Sequence, residues 1–305
     1  EEVGDQLWYI DGVIGSAHDD TLIGGSVGDE AFATPDSWAY LAASNRLEGG
    51  AGDDLLMGLG APDTLDGGEG IDTADYSLSE AEVYVDLNLQ DSQTAQTGGG
   101  TVTVTLSTID DGTNQGVLYG GNHAYGDVLI SIENLTGSAY NDTLIGNGED
   151  NVLSGLAGDD SMIGGGGNDT LIGGFTDSID GGAGFDTFRL EGHDGTGSAL
   201  DLTAMNVAGR ITGIEQIDIA GDADDANTLT LKISDVLDTT GGTDTLWVHG
   251  DGNDSVSTTD TGWTHVGVEA GADGHQYDHY TGYAGSTLVN LMIDTDIAVQ
   301  DIVHP

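Results

Sequence analysis

The chain has no cysteine, three prolines and only four basic side chains, Arg46, Arg189, Arg210 and Lys232, in 305 residues. Without cysteine there is no disulfide framework and no thiolate zinc site. So little proline, with no Gly-X-Y period, rules out collagen in spite of 52 glycines. No apolar run of about 18 residues occurs, so no transmembrane helix is expected. No basic-then-apolar leader is present either, and no cleaved N-terminal signal peptide is read. The first residue is Glu1, and the chain is read as a segment of a longer protein. The shortage of cations weighs most. Against 54 Asp and Glu it leaves a formal net charge of -50. That field makes nucleic acid and anionic membranes poor partners. Like charges about 4 Å apart repel by about 4 kcal/mol at an effective dielectric of about 20. The chain is therefore either unfolded or folded around bound cations, and carboxylate and carbonyl oxygens are hard ligands suited to Ca²⁺.

What is abundant is phased. From Gly49 to Asp75 the sequence reads in nines: GGAGDDLLM, GLGAPDTLD, GGEGIDTAD. From Gly137 to Arg189 it reads GSAYNDTLI, GNGEDNVLS, GLAGDDSMI, GGGGNDTLI, GGFTDSID (one residue short) and GGAGFDTFR. Weaker copies start at Gly15 and Gly24. The template is G-G-x-G-x-D-x-U-x, with U apolar. Leading glycines allow a positive φ and leave carbonyls free to converge. The sixth position places an acid at that spot: Asp20, Asp29, Asp54, Asp63, Asp72, Asp142, Asp160, Asp169 and Asp186, with Asn151 the one amide and Asp177 the equivalent in the short copy. A three-residue strand follows, and its middle side chain points inward. That inward set is Leu56, Leu65, Ala74, Leu144, Leu153, Met162, Leu171, Ile179 and Phe188. Two nonapeptides make a coil of 18 residues, so alternate copies stack.

This nonapeptide resembles the calcium-binding repeat of the RTX (repeats-in-toxin) family. The resemblance implies an all-β fold: a parallel β-roll, or β-solenoid, with Ca²⁺ in its turns, flanking strands and a C-terminal β-rich cap. It also implies ligands from the carbonyls of the first four turn positions together with the sixth-position acid. In the first block these fall on Gly49, Gly50, Ala51 and Gly52 with Asp54, on Gly58 and Gly60 with Asp63, and on Gly67, Gly68 and Gly70 with Asp72. In the second block they fall on Gly137 with Asp142, on Gly146 and Gly148 with Asn151, and on Gly155, Ala157 and Gly158 with Asp160. They continue on Gly164, Gly165, Gly166 and Gly167 with Asp169, on Gly173 and Gly174 with Asp177, and on Gly181, Gly182 and Gly184 with Asp186. Asp20 and Asp29 belong to the weak copies. Roughly six to ten Ca²⁺ are expected, with a weaker site at the uncharged Asn151.

Four regions follow. Residues 1–75 hold the first block, with a helical or loop insertion near 34–45 in which Trp38 and Tyr40 read as local core. Residues 76–136 form a connecting β segment with strand-like EVYVDLNL, TVTVTLSTI and DVLISIENL, two of them separated by Gly98, Gly99 and Gly100. Residues 137–189 are the second block. Residues 190–305 form a β-rich cap with strand-like IEQIDIA, NTLTLKI, TLWVHG, SVSTT, HVGVEA and STLVNLMID, and a short helix in ISDVLDTT. The order of GIEQIDIAGDADDANTLTLKISDVL, LWVHGDGNDSV, W-x-x-V at Trp263, YDHYTGYAG and LMIDTDIAV is similar to the C-terminal end of giant RTX adhesins of Gram-negative bacteria. That resemblance implies export by a type I secretion apparatus through an uncleaved C-terminal signal. It further implies a secreted or cell-surface protein, upstream adhesin domains on the same chain, no membrane insertion and a monomer.

No catalytic constellation stands out. G-x-S-x-G is absent, and Gly164 to Gly167 lead into Asn168 and Asp169 with no lysine, so no phosphate loop is read. His275 and His279 are spaced i,i+4, but HQYDH is not HExxH. Carboxylates are too frequent for a glycosidase pair to be singled out. Asp251 and Asp254 in HGDGNDSVS hold either a further ion or a plain turn. The leading reading is a non-enzymatic, calcium-dependent folding and secretion module. The tail of a secreted protease, lipase or alginate epimerase, and a Ca²⁺-dependent surface-ligand-binding module, are the other readings. The sequence upstream of Glu1 separates an adhesin from an enzyme.

Overall fold

The computed structural model describes residues 12–24, 44–60, 62–89, 123–124, 126–191, 198–220 and 226–300. Asp29, Trp38, Tyr40, Gly98, Gly99, Gly100 and the run TVTVTLSTI lie outside the described residues. The chain divides into two compact units, Glu1–Asn147 and Gly148–Pro305.

The first unit contains β1 (Gly12–Ile14), β2 (Thr21–Ile23), β3 (Arg46–Ala51), β4 (Leu55–Met57), β5 (Thr64–Glu69), β6 (Thr73–Asp75), β7 (Tyr84–Asp86), β8 (Val128–Ile130), β9 (Asn134–Thr136) and β10 (Thr143–Ile145). Three-residue strands are too short to stand alone. They persist because each is hydrogen-bonded in parallel to the strand one coil away. One wall runs β1-β3-β5-β8, the facing wall β2-β4-β6-β9, and β7 lies beside β10. Leu47 sits opposite Leu65 and Leu56 opposite Ala74, the 18-residue register that two nonapeptides require. The inward positions read from the repeat are all 0–1 % exposed, from Leu56 to Phe188.

Two predicted strands are shorter than the sequence suggests. EVYVDLNL is strand only over β7, because Asp86 Oδ1 accepts the Asn88 N–H at 2.9 Å and turns the chain into a single 3-10 turn, Leu87–Leu89. DVLISIENL is broken into β8 and β9 by Ser131, whose φ of 48° makes a corner.

The second unit contains β11 (Val152–Ser154), β12 (Ser161–Gly166), β13 (Thr170–Gly173), β14 (Ser178–Ala183), β15 (Thr187–Leu190), β16 (Ala199–Asp201), α1 (Leu202–Ala208), β17 (Ile211–Thr212) and β18 (Gln216–Asp218). It continues with β19 (Thr228–Leu231), α2 (Ile233–Thr239), β20 (Thr245–His249), β21 (Ser255–Thr258), β22 (Thr264–Ala270), β23 (Gln276–Ala284), β24 (Thr287–Asp294) and β25 (Ala298–Gln300). Ser161 faces Ser178 and Thr170 faces Thr187, a register of 17 that absorbs the deletion after Gly173. Parallel coiling does not stop where the nonapeptide does. β15, β18, β20 and β24 continue one wall, while β16, β19, β21 and β25 form a further parallel sheet. Each later coil is longer because it accommodates α1, α2 or the antiparallel strands β22 and β23. Ile217, Val248 and Leu291 keep the inward position filled at 0 % exposure.

The helix α2 is where ISDVLDTT predicts it. The helix α1 is an addition, and its signals are local: Asp201 Oδ1 accepts the Ala204 N–H at 3.1 Å, and Gly209 ends the helix at φ 68°. Among the described residues no helix is long and apolar enough to cross a membrane.

Candidate metal centre

Each repeat ends its strand in glycine, turns, and presents its sixth residue at the corner before the next strand. In the two repeat blocks that residue is buried: Asp54, Asp63, Asp72, Asp142, Asn151, Asp160, Asp169, Asp177 and Asp186 are all at most 2 % exposed, whereas Asp20 of the first weak copy is half-buried. One carboxylate oxygen is spent on a ladder between coils. The Asp54 N–H donates to Asp72 Oδ1 at 2.8 Å, the Asn151 N–H to Asp169 Oδ1 at 2.8 Å, the Asp160 N–H to Asp177 Oδ1 at 3.0 Å and the Asp169 N–H to Asp186 Oδ1 at 2.8 Å. Asp177 thereby occupies the sixth-position corner of the short copy.

The second oxygen sorts the corners into two kinds. In Asp54, Asp63, Asp72, Asp160, Asp169 and Asp186, Oδ2 is shielded from solvent and has no hydrogen-bond partner. In Asp20, Asp142 and Asp177 it accepts a turn amide instead, from Ser16 at 2.5 Å, Ser138 at 2.5 Å and Gly174 at 2.7 Å. The second residue of the turn separates the two kinds. At all six orphaned corners it has a positive φ: Gly50, Leu59, Gly68, Leu156, Gly165 and Gly182. At the capped corners it is Ser16, Ser138 or Gly174, none of which does. A buried carboxylate oxygen with nothing opposite it costs several kcal/mol and calls for a cation.

The glycine that opens each turn lets the acid's free oxygen and a carbonyl of the next coil come close together over its bare Cα. A Cβ built on Gly164 would fall against Asp169 Oδ2 and 2.5 Å from the Gly181 carbonyl oxygen of the next coil. One on Gly49 would fall against Asp54 Oδ2 and 2.6 Å from the Gly67 oxygen. Gly67 repeats this with Asp72 Oδ2 and Ser131 O, and Gly181 with Asp186 Oδ2 and Gly213 O. An all-oxygen cradle of carboxylate and carbonyl donors, spanning two coils, fits Ca²⁺. The third turn position is open by contrast: a Cβ on Gly148 would meet nothing within 4 Å.

Three residues that complete the corners escape a nonapeptide search. Asp72 and Asp186, the last acids of their blocks, donate their N–H groups to Glu133 Oε2 at 2.8 Å and Glu215 Oε2 at 3.0 Å. The two glutamates sit in matching turns, Ser131-Ile132-Glu133-Asn134 and Gly213-Ile214-Glu215-Gln216. Both turns open on a positive φ and both bury the isoleucine. The legible signal was this shared I-E-[N/Q] tripeptide. The third residue, Asp127, is 0 % exposed, takes the Asp63 N–H on Oδ1 at 2.8 Å and is capped on Oδ2 by the buried Tyr76 hydroxyl at 3.2 Å. Asp254, in the lone HGDGNDSVS copy, belongs to the capped kind: Oδ2 accepts the Asp251 N–H at 2.8 Å and Oδ1 the Asn227 N–H at 2.9 Å.

Burial raises the carboxyl pKa to about 7 at Asp63 and about 6 at Asp72 and Asp169, with the ladder amides opposing. Burial likewise raises Asp142, Asp177 and Asp186. With folded values above the unfolded value near 4, the metal-free fold holds more protons than the coil between about pH 4 and 7. The contribution of these groups is therefore fully present below about pH 4 and is lost as pH rises from there to the folded values of about 6 to 7, at about 1.4 kcal/mol per pH unit for each such group. The metal-free chain is expected to gain β-sheet circular dichroism between pH 8 and pH 5. A chelated sample with the same spectrum at both would contradict the burial of these acids.

Comparison with protein families agrees with this geometry. The model of the RTX calcium-binding nonapeptide repeat (four copies) matches residues 42–74, 136–171 and 172–194. No curated protein matched the chain. The matched segments contain all six orphaned corners, so these stretches are calcium-binding nonapeptide repeats of the RTX type.

Proposed function

We propose that this chain is the calcium-dependent folding and secretion module of a secreted bacterial RTX adhesin, without catalysis of its own. One observation carries the reading: six buried carboxylate oxygens lack any partner in a chain of net charge -50. Where free Ca²⁺ is scarce, as in a cytosol, those oxygens oppose folding and the chain stays extended, the state a narrow type I channel can pass. Extracellular calcium modules bind with affinities of about 10⁻⁴–10⁻³ M. Outside the cell the ions bind only the coiled form and draw the chain into it. Six corners, three per block, are the principal sites, within the roughly six to ten ions that the repeat count suggests. The similarity of the C-terminal strand order to giant adhesins favours an adhesive protein over a secreted enzyme.

The test is a calcium titration of the purified chain by calorimetry and small-angle scattering. About six tight ions, bound together with compaction, support the reading. Compaction before any ion binds would overturn it. Within the same experiment, Glu133→Gln and Glu215→Gln are each expected to weaken one ion by about tenfold, because the last corner of each block loses a charged ligand. An unchanged isotherm for both variants would assign the glutamates to the hydrogen-bond ladder alone.

A further inference from the structure

The i,i+4 histidines of HQYDH do not meet. Four residues along a strand span about 13 Å, and His279 is engaged elsewhere, with Nδ1 2.8 Å from Glu269 Oε1 and Nε2 2.9 Å from Asn290 Oδ1. His275 instead meets two residues distant in sequence. It directly precedes β23, while His249 ends β20 and Asp294 ends β24. Pairing of Val248 with Ile293 and of Tyr277 with Asp294 brings the three to one end of the sheet.

There the two Nδ1 atoms converge on a single oxygen. His275 Nδ1 lies 2.9 Å and His249 Nδ1 3.1 Å from Asp294 Oδ2, and all three atoms lie within 4.8 Å of one another. The rings stand at 89° with centroids 4.6 Å apart. Asp294 is 2 % exposed, and its Oδ1 accepts the Asp296 N–H at 3.1 Å. His249 Nδ1 is close to Oδ2 but out of hydrogen-bond geometry, is shielded from solvent and has no hydrogen-bond partner. A lone pair on a buried ring nitrogen, aimed beside a buried carboxylate that a second imidazole also faces, is the arrangement of metal ligands. Hydrogen bonding serves only one of the two rings. Asp273 holds the outer histidine in place, accepting the His275 N–H at 3.0 Å on Oδ1 and the Tyr277 hydroxyl at 2.5 Å on Oδ2.

We propose that His249, His275 and Asp294 form a transition-metal site of the zinc class, distinct in chemistry from the oxygen-only corners. Two imidazoles and one carboxylate suit Zn²⁺, Cu²⁺ or Ni²⁺, whereas Ca²⁺ takes oxygen. Three protein ligands leave a fourth position for water or an external ligand. An ion here staples the entry of β23 to the ends of β20 and β24.

The experiment uses the whole chain held in millimolar Ca²⁺, so that its corners are filled and its acids are screened. Zn²⁺ is titrated by calorimetry, and Cu²⁺ is added at one equivalent for electron paramagnetic resonance. The expected result is one tight Zn²⁺ and a Cu²⁺ spectrum with hyperfine coupling to two imidazole nitrogens. His275→Gln, at a half-exposed side chain that does not disturb the core, is expected to remove one nitrogen and weaken Zn²⁺ by about tenfold or more. His249→Gln is expected to do the same, and His265→Gln, whose ring faces Asp278 elsewhere, to leave both readouts unchanged. Tight Zn²⁺ binding that persists in the His249→Gln, His275→Gln double variant, or a Cu²⁺ spectrum of oxygen ligands only, would overturn the proposal.

Discussion

Chelating calcium from the folded chain is expected to abolish its β-sheet circular dichroism and to expand it toward the radius of gyration of about 60 Å that an unfolded chain of this length has. The magnitude follows from the corners. Six buried carboxylate oxygens face no donor, and burial has already pushed Asp63 to about 7. At neutral pH the metal-free fold must either ionise these groups without partners or hold protons against the solvent. Ions in 100-fold excess over their dissociation constants return about 2.7 kcal/mol each, so six of them supply about 16 kcal/mol. That equals or exceeds the whole stability of an ordinary domain, about 5–15 kcal/mol. Two of the basic residues, Arg46 and Arg189, do not substitute. Arg46 reaches Glu48 at 2.5 Å and Asp66 at 2.8 Å, and Arg189 reaches Asp218 at 3.0 Å, all on the surface side where ion pairs contribute about 0–1 kcal/mol. A chain that keeps its spectrum and dimensions in excess chelator at pH 7.5 would show that the coils cohere without ions.

Gly164→Ala is expected to be strongly destabilising, and Gly148→Ala to be silent. Gly164 opens its turn, whereas Gly148 stands at the third, variable position of its own. At Gly164 the new methyl would sit against Asp169 Oδ2, 2.5 Å from the Gly181 oxygen and 2.9 Å from Asp169 Cβ, and would push both candidate ligand oxygens out of place. At Gly148 the same methyl meets nothing within 4 Å. Overpacking costs about 1–3 kcal/mol, and loss of the ion removes about 2.7 kcal/mol more. The Gly164 variant should therefore melt well below the parent in millimolar Ca²⁺ and bind one ion fewer, with the Gly148 variant superimposing on the parent. Equal melting of the two variants would mean that the close approach of Asp169 and Gly181 at Gly164 matters neither to the coil nor to its ion.

Much of the roll was legible because it is local. Nine-residue phasing places an acid, an inward apolar residue and a flexible corner in fixed succession, and stacking does the rest. Leu56, Leu153 and Phe188 needed only their place in the repeat to be identified as core. The coil of 17 around Asp177 was legible as well, since a deletion inside a turn shifts the register without moving the acid from its corner. What the repeat could not show is which oxygens stay free. Asp142 and Asp169 hold the same template position, yet Ser138 caps one while nothing caps the other. That difference lies in the backbone angle of a neighbouring residue, and Leu59 and Leu156 take the positive φ as readily as the glycines around them.

By itself, then, the amino-acid order determined the period, the inward residues, the acid at each corner and the need for cations, because each follows from spacing within about 18 residues or from total charge. Tertiary structure alone decided which corners keep an unpartnered oxygen, that Glu133 and Glu215 close the two blocks, that coiling runs on past Arg189, and that His249, His275 and Asp294 meet. Those facts depend on peptide orientation and on contacts between residues 19 to 61 positions apart. Side-chain type at one position carries no information about either.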